Sequence, residues 1–214
     1  MAAALPPAAG VRAAKQARSL HKQQALLAAG RTLLKTHDLP ALSVAQVAAA
    51  AGVAVGSFYA RFDDKNAWFA ALAREATLSA LDELQRLLAS SAMRRAAPAR
   101  KVALLMAWLV QVHREHQGIF RASVSDPART ALYWEPFGRI CAQVDAWVHE
   151  LLAPDLAELP PAVLRRRVSV ASQMVFATLA QAVLHDAGPL RLHDPALERE
   201  LARVFLAAIG SAAA

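Results

Sequence analysis

The sequence predicts an all-α fold, and three observations lead there. Long Ala/Leu/Arg-rich stretches repeat their apolar residues at helical spacing. No run alternates apolar and polar residues as a half-buried strand does. Short breaks rich in Pro, Gly or Asp divide the stretches into nine predicted helices. With 214 residues, 56% of them apolar, the chain is long enough for one domain or two small ones and has ample material for a core. Only 8 Gly and 11 Pro exclude collagen-like and low-complexity classes.

The first helix is expected over 17–36, with Leu26, Ala29 and Leu33 near one stripe, Lys22 a turn earlier, and Leu27 and Leu34 beside it. Asp38 is expected in the left-handed closing position, and Pro40 then prevents continuation. Ser43 and Gln46 form an S-x-x-Q capping box opening a second helix, 44–51, with Val44, Val47 and Ala48 inward. Gly52 permits a tight turn into a short third helix, 55–60. Asp63 or Asp64 caps a long fourth helix, 65–89. Residues 90–98 read as a polar, basic break. A fifth helix follows over 99–115 and a short sixth over 117–125. Asp126-Pro127 opens a seventh, 128–152, which Pro136 should kink or split. A linker over 154–161 leads to an eighth helix, 162–186. After a turn, Asp194-Pro195 opens a ninth, 196–209. No repeat of fixed period is visible.

Charge is unevenly placed. Residues 1–62 hold seven Lys/Arg (Arg12, Lys15, Arg18, Lys22, Arg31, Lys35, Arg61) against the single acid Asp38, a net of +6. The other residues carry 17 basic and 16 acidic groups, a net of +1. A basic N-terminal module on a nearly neutral body points to a polyanion partner. Residues 1–10 are Ala/Pro-rich with no positive region ahead of an apolar one, so a flexible arm is expected rather than a secretory signal. The longest uncharged run, 168–184, is slightly short of a membrane span of about 20 residues. It contains Ser169, Ser172, Gln173, Thr178 and Gln181, and reads as a soluble helix buried on more than one face. The lone Cys141 cannot form an internal disulfide or a Cys-based zinc site and suits a reducing cytoplasm.

Residues 43–65, SVAQVAAAAGVAVGSFYARFDDK, join a capped helix, a Gly-containing turn and a second short helix. That is a helix-turn-helix. Val47, Ala48, Val53, Phe58 and Phe62 would hold the helices together, and Ala48, Ala51 and Gly52 allow close crossing. Gly56 keeps the outer side of the second helix slim. In such a motif the second helix enters the DNA major groove.

The same run resembles the DNA-binding signature of the TetR/AcrR family of bacterial regulators, with Ser43, Val47, Ala48, Ala51, Gly52, Val53, Gly56, Tyr59, Phe62 and Lys65 in register. Residues 26–34 resemble the family's first helix; beyond about residue 75 the likeness is one of architecture. The resemblance implies a DNA-binding set of Ser43, Ala54, Val55, Gly56, Ser57, Tyr59, Arg61 and Lys65, joined by Arg18 and Lys22. Tyr59 and Lys65 would contact phosphates, and Ser43 would anchor the backbone with its amide and hydroxyl. Val55, Gly56 and Ser57 would face base edges, and Arg61 is a further phosphate candidate. Arg12, Lys15, Arg18 and Lys22 would add contacts from the arm and first helix. Three positions depart from the family pattern. Ala54 replaces a Ser or Thr cap, Asp38 a Gly, and Arg61 a His or Tyr.

The expected organisation is a flexible basic arm (1–16), a DNA-binding domain (17–65) and a helical ligand-binding and dimerisation domain (66–214). In the last, Trp108, His113, Phe120, Tyr133, Trp134, Phe137, Cys141, Trp147, Met174 and Phe176 are candidate walls for an apolar or planar effector. Val168, Met174, Val175, Leu179, Leu201 and Phe205 are candidate dimer contacts, because the family pairs its last two helices across a two-fold axis. His113 and His116 are expected as surface histidines rather than metal ligands. His185, Asp186, His193 and Asp194 flank a turn and are expected to cap it. No P-loop, GxSxG, HExxH or dinucleotide fingerprint occurs, so no enzyme, metal or cofactor is expected. The expected protein is a homodimeric repressor of a palindromic operator, released by a small effector. An activator or nucleoid-type binder of the same fold, or a ligand-binding helical protein without DNA function, are the alternatives.

Overall fold

A computed structural model describes residues 8–12, 17–124 and 127–210, with backbone alone at 17–18 and 127–139. Expectations resting on Lys15, or on the side chains of Arg18, Tyr133, Trp134 and Phe137, lie outside the described residues. The described chain is all-α: α1 Ala17–Leu33, α2 Val44–Ala50, α3 Val55–Tyr59, α4 Lys65–Ala89, α5 Ser91–Arg95, α6 Pro98–Glu115, α7 Gln117–Val124, α8 Pro127–Leu152, α9 Pro161–Leu184 and α10 Leu197–Ile209. Two single 3-10 turns, Leu39–Ala41 and Ala153–Leu156, complete it.

The extra helix over the nine expected is α5, inside the stretch read as a break. Ser90 Oγ accepts from the Met93 amide at 3.1 Å, and Met93 is fully buried. One apolar anchor and one cap suffice to fold a stretch whose composition is otherwise polar. Asp38 is also placed differently. Its backbone is extended (φ −81°, ψ 144°), and its carbonyl accepts from Ala41 at 3.0 Å. It opens the next turn, which carries Pro40, and does not close α1. Helix α8 runs unbroken through Pro136. Proline forfeits its own bond to the Leu132 carbonyl without ending the helix.

The chain divides into two compact units, Ala2–Ala80 with His116–Tyr133, and Leu81–Glu115 with Trp134–Ala214. The first is built on the burial of Leu26, Leu34, Leu42, Val47, Phe58, Phe62, Trp68, Phe69 and Leu72. Phe58 lies between Phe62 and Trp68, with ring centroids 5.3 and 6.3 Å away. Trp68 satisfies its buried indole N–H on the Leu26 carbonyl at 3.2 Å. Helix α7 completes this core with Ile119 and Ala122. Arg121 of α7 pairs with Asp38 at 3.2 Å and donates to the Leu34 carbonyl at 3.3 Å.

In the second unit α10 packs on both α6 and α9. Leu197, Leu201, Phe205 and Ile209 of α10 are buried, with Leu164, Val168, Ala171, Val175 and Leu179 of α9. Arg114 of α6 holds the approach to α10, donating to the Leu192 carbonyl at 2.9 Å, the Asp194 carbonyl at 3.2 Å and Glu198 at 2.8 Å. Buried Lys101 pairs with Asp155 at 2.5 Å. Asp186 Oδ1 accepts from the Leu192 amide and Asp194 Oδ1 from Ala196, the turn-capping roles expected for these acids. Helix α9 is long and apolar enough by length and composition to cross a membrane. One face of it forms this unit's core.

Candidate nucleic-acid interface

Helix α2 begins at the expected capping box. The Gln46 amide donates to Ser43 Oγ at 3.2 Å, and the Ser43 amide and hydroxyl both donate to Gln46 Oε1 at 2.8 Å. The Ser43 amide expected to anchor a DNA backbone is thus already engaged within the helix. After α2 the chain turns at Gly52, with φ +65°, where an L side chain would be strained. Val53 donates back to the Ala48 carbonyl at 3.0 Å, closing the turn. Ala54 stands at the N-cap of α3 with extended backbone and no side-chain cap.

Two faces of α3 differ sharply. Phe58 is fully buried, whereas Val55 and Tyr59, one turn apart, are 42% and 48% exposed. A Cβ at Gly56 would meet nothing within 4 Å, so packing within the chain does not require glycine there. Ser57 Oγ accepts from Lys22 Nζ of α1 at 3.2 Å, which places a cation beside the exposed face. Asp64 rather than Asp63 caps α4: its Oδ1 accepts from Asn66 at 2.8 Å and Ala67 at 2.7 Å.

Lys65 has a different environment from the one expected. Its ammonium donates to the carbonyls of Leu39, Pro40 and Leu42 at 2.8, 3.1 and 2.7 Å. These carbonyls belong to the turn that delivers Ser43 to α2. The charge stays beside the α2 N-terminus, while the N–H donors tie α4 to that turn.

The sequence reading missed a strap ahead of α1. Val11 bridges Phe62 in antiparallel fashion. The Arg12 amide donates to the Arg61 carbonyl at 2.8 Å, and the Asp63 amide donates to the Gly10 carbonyl at 3.1 Å. The Arg12 guanidinium reaches the Tyr59 carbonyl and Asp63 Oδ1, both at 2.9 Å. Residues 8–12 were expected to be part of a flexible arm; Gly10 followed by apolar Val11 is the only trace of this docking in the sequence.

Residues 26–72 match the model for bacterial regulatory proteins of the tetR family. Over these residues the chain is similar to that family. The match runs from Leu26 in α1 to Leu72 in α4 and takes in the whole helix-turn-helix. Solved structures, tetR-family regulators among them, share the fold over most of the chain. A regulator from Streptomyces coelicolor is 21% identical, with a TM-score of 0.62, covering 88% of this chain and 80% of its own. A putative regulator from Mesorhizobium loti is 17% identical, with a TM-score of 0.66, covering 91% and 96%. A fatty acid degradation regulator, FadR, from Bacillus halodurans is 20% identical, with a TM-score of 0.65, covering 86% and 94%. No curated protein sequence matches the chain.

Outside the matched residues, Trp108, His113, Cys141, Met174 and Phe176 fall in the second unit, and Phe120 lies on α7 of the first. His113 is not a surface histidine: it is 4% exposed, its Nδ1 lies 2.8 Å from the Leu109 carbonyl, and its ring centroid is 6.3 Å from that of Phe176. An apolar face of α6 carries it inward. Cys141 has its thiol pushed up to about 12, chiefly by burial and then by the carboxylate of Asp145. The protonated form is held, as suits a structural thiol. The atoms Trp108 Nε1, Asp145 Oδ1 and His149 Nε2 are buried without a hydrogen-bond partner among the described residues. Their i, i+4 spacing puts Asp145 and His149 on one face of α8 with Cys141. Among the described residues no group of three or more His, Cys, Asp or Glu is placed to hold a metal ion.

The candidate dimer contacts need correction. Val168, Val175, Leu179, Leu201 and Phe205 are at most 3% exposed within the single chain. They form the α9–α10 core and have no surface to offer a second copy. Periodicity marks an apolar stripe without saying which neighbour it meets. Met174 alone of the set is exposed, at 47%. The outward apolar positions on these helices are Val163, Val170, Met174, Leu184 and Val204.

Proposed function

We propose that this protein is a homodimeric, ligand-responsive transcriptional regulator, a cytoplasmic repressor that binds a palindromic operator through α3. The observation that carries this reading is the outward pair Val55 and Tyr59, one turn apart on α3 and backed by the buried Phe58. The described residues of the first unit leave both side chains about half exposed, and a major groove offers thymine methyls and phosphates to such a pair. Lys22, Arg12 and Arg61 surround it with positive charge.

Two further observations support the rest of the reading. Val163, Val170 and Met174 form an exposed apolar row on α9, suited to a second copy of the chain. Half-buried Trp108, Asp145 and His149 of the second unit each hold one inaccessible polar atom without a hydrogen-bond partner among the described residues, and an effector with matching donors and acceptors would supply partners. Effector binding would weaken operator binding only through a difference in affinity for two conformations.

The test uses the full-length chain and a duplex it selects from a random-sequence pool. Tyr59→Ala is expected to weaken binding by tenfold or more, about 1.4 kcal/mol. Val170→Glu with Met174→Glu is expected to give a monomer in sedimentation. Selection of no duplex, or full affinity in Tyr59→Ala, overturns the DNA-binding reading.

A further inference from the structure

We propose that Arg12 is a positioning residue for DNA binding, acting through Tyr59 and Asp63 from a strap docked on the end of α3. The proposal rests on the reading of α3 as the DNA-contacting helix. It departs from a free basic arm in assigning residues 8–12 a built place in the DNA-facing edge.

Main-chain geometry fixes the strap. The two bonds Arg12 N to Arg61 O (2.8 Å) and Asp63 N to Gly10 O (3.1 Å) flank the Val11–Phe62 bridge. Phe62 opposite Val11 is fully buried, so the partner segment is anchored in the core. Gly10 has φ +73°, and a Cβ there would lie 2.9 Å from the Ala67 Cβ and 3.2 Å from Asp63 Oδ2. Conformation and space both demand glycine at that point.

The Arg12 side chain then meets two groups that matter for a polyanion. Nη1 takes the Tyr59 carbonyl at 2.9 Å. That carbonyl is one of the orphan acceptors at the C-terminus of α3, where the helix end carries partial negative charge. Nη2 takes Asp63 Oδ1 at 2.9 Å. Asp64, next along, is occupied in capping α4. Asp63 caps nothing and is half exposed, so without Arg12 a carboxylate would stand close to the Tyr59–Arg61 edge and repel phosphate. Arg61 closes the arrangement by donating to the Arg12 carbonyl at 3.4 Å. Arg12 thus neutralises an acid and pins the backbone of the half-exposed Tyr59.

The experiment is a double-mutant cycle in the full-length protein on a duplex that the wild type selects from a random-sequence pool. Arg12→Ala is expected to weaken binding about tenfold, and in an Asp63→Asn background only about threefold or less, since the charge to be neutralised is gone. Gly10→Val, which keeps every charge, is expected to weaken binding like Arg12→Ala because the strap cannot dock. Amide exchange on the free protein supplies a readout without DNA: Asp63 N–H is protected in the wild type and loses protection in Gly10→Val. Equal losses from Arg12→Ala in both backgrounds, with Gly10→Val unaffected, mean that Arg12 touches phosphate from a free arm and overturn the proposal. An unprotected Asp63 amide in the wild type overturns it as well. If no duplex is selected, the DNA-binding reading falls and takes the role of Arg12 with it.

Discussion

Gly118 on α7 seats its α-carbon directly against the main-chain carbonyl of Leu34, just past the end of α1. A Cβ at position 118 would collide with that carbonyl and with the Leu34 Cβ. The neighbour is backbone and has no rotamer to change. Gly118→Ala is therefore expected to push α7 off α1 and cost about 1–3 kcal/mol through overpacking. Urea unfolding of the full-length protein measures it, and an unchanged midpoint would show that α7 is not held so closely.

Lys65→Met tests the turn before α2. The methionine keeps the apolar stem but leaves the carbonyls of Leu39, Pro40 and Leu42 without the ammonium. Hydrogen bonds to a charged group contribute about 1.5–3 kcal/mol each at most, and water replaces part of them at this half-buried site. Expected is a loss of about 1–3 kcal/mol in DNA-free protein. A purely phosphate-contacting lysine would leave that stability untouched and lower only the salt slope of DNA binding, by about 0.9.

Ala54→Ser restores a cap. The residue already has the extended backbone of an N-cap, and α3 has no side-chain acceptor at its start. A serine oxygen in the same conformation can accept from the free amides of the first turn. The expected gain is about 0.5–1 kcal/mol, seen as a rise in Tm. Ser43→Ala, the reverse change at α2, is expected to lose about 1 kcal/mol with its capping box.

Cys141 makes stability depend on alkali. Its thiol is raised from an ordinary 9.0 to about 12 in the folded chain. Below pH 9.0 both states hold the proton and the group contributes no pH dependence. Above it the unfolded chain loses the proton first, so stability falls as pH climbs towards 12. Cys141→Ser should flatten that part of the pH–stability curve. A thiol reagent at pH 8 is expected to modify the folded protein far more slowly than the unfolded one.

The helix-turn-helix was legible because its cues are local. Ser43 with Gln46 announced a capping box, Gly52 a tight turn, and the spacing of Val47, Phe58 and Phe62 an inward face; each depends on neighbours within a few residues. Asp38 was misread because Gly-like closure and the start of a Pro-containing turn share the same residue type. Helix α5 escaped because a single buried Met93 carries no periodicity. On α9 and α10, Val168, Val175 and Leu201 announced burial correctly and their partner wrongly, since an apolar stripe looks the same whether it faces its own chain or another.

Local chemistry by itself determined that the chain is helical, that Ser43 caps α2 ahead of the turn at Gly52, and which side of α3 is buried. Tertiary structure alone decided that residues 10–12 dock on residues 61–63, that α7 completes the core around α1, and that Lys65 serves three carbonyls. These contacts join residues far apart in the chain: Arg12 meets Asp63 across 51 positions, and Arg121 meets Leu34 across 87. Their stabilisation comes from packing and charge that exist only after the loop entropy between them has been overcome, and no local pattern encodes that closure.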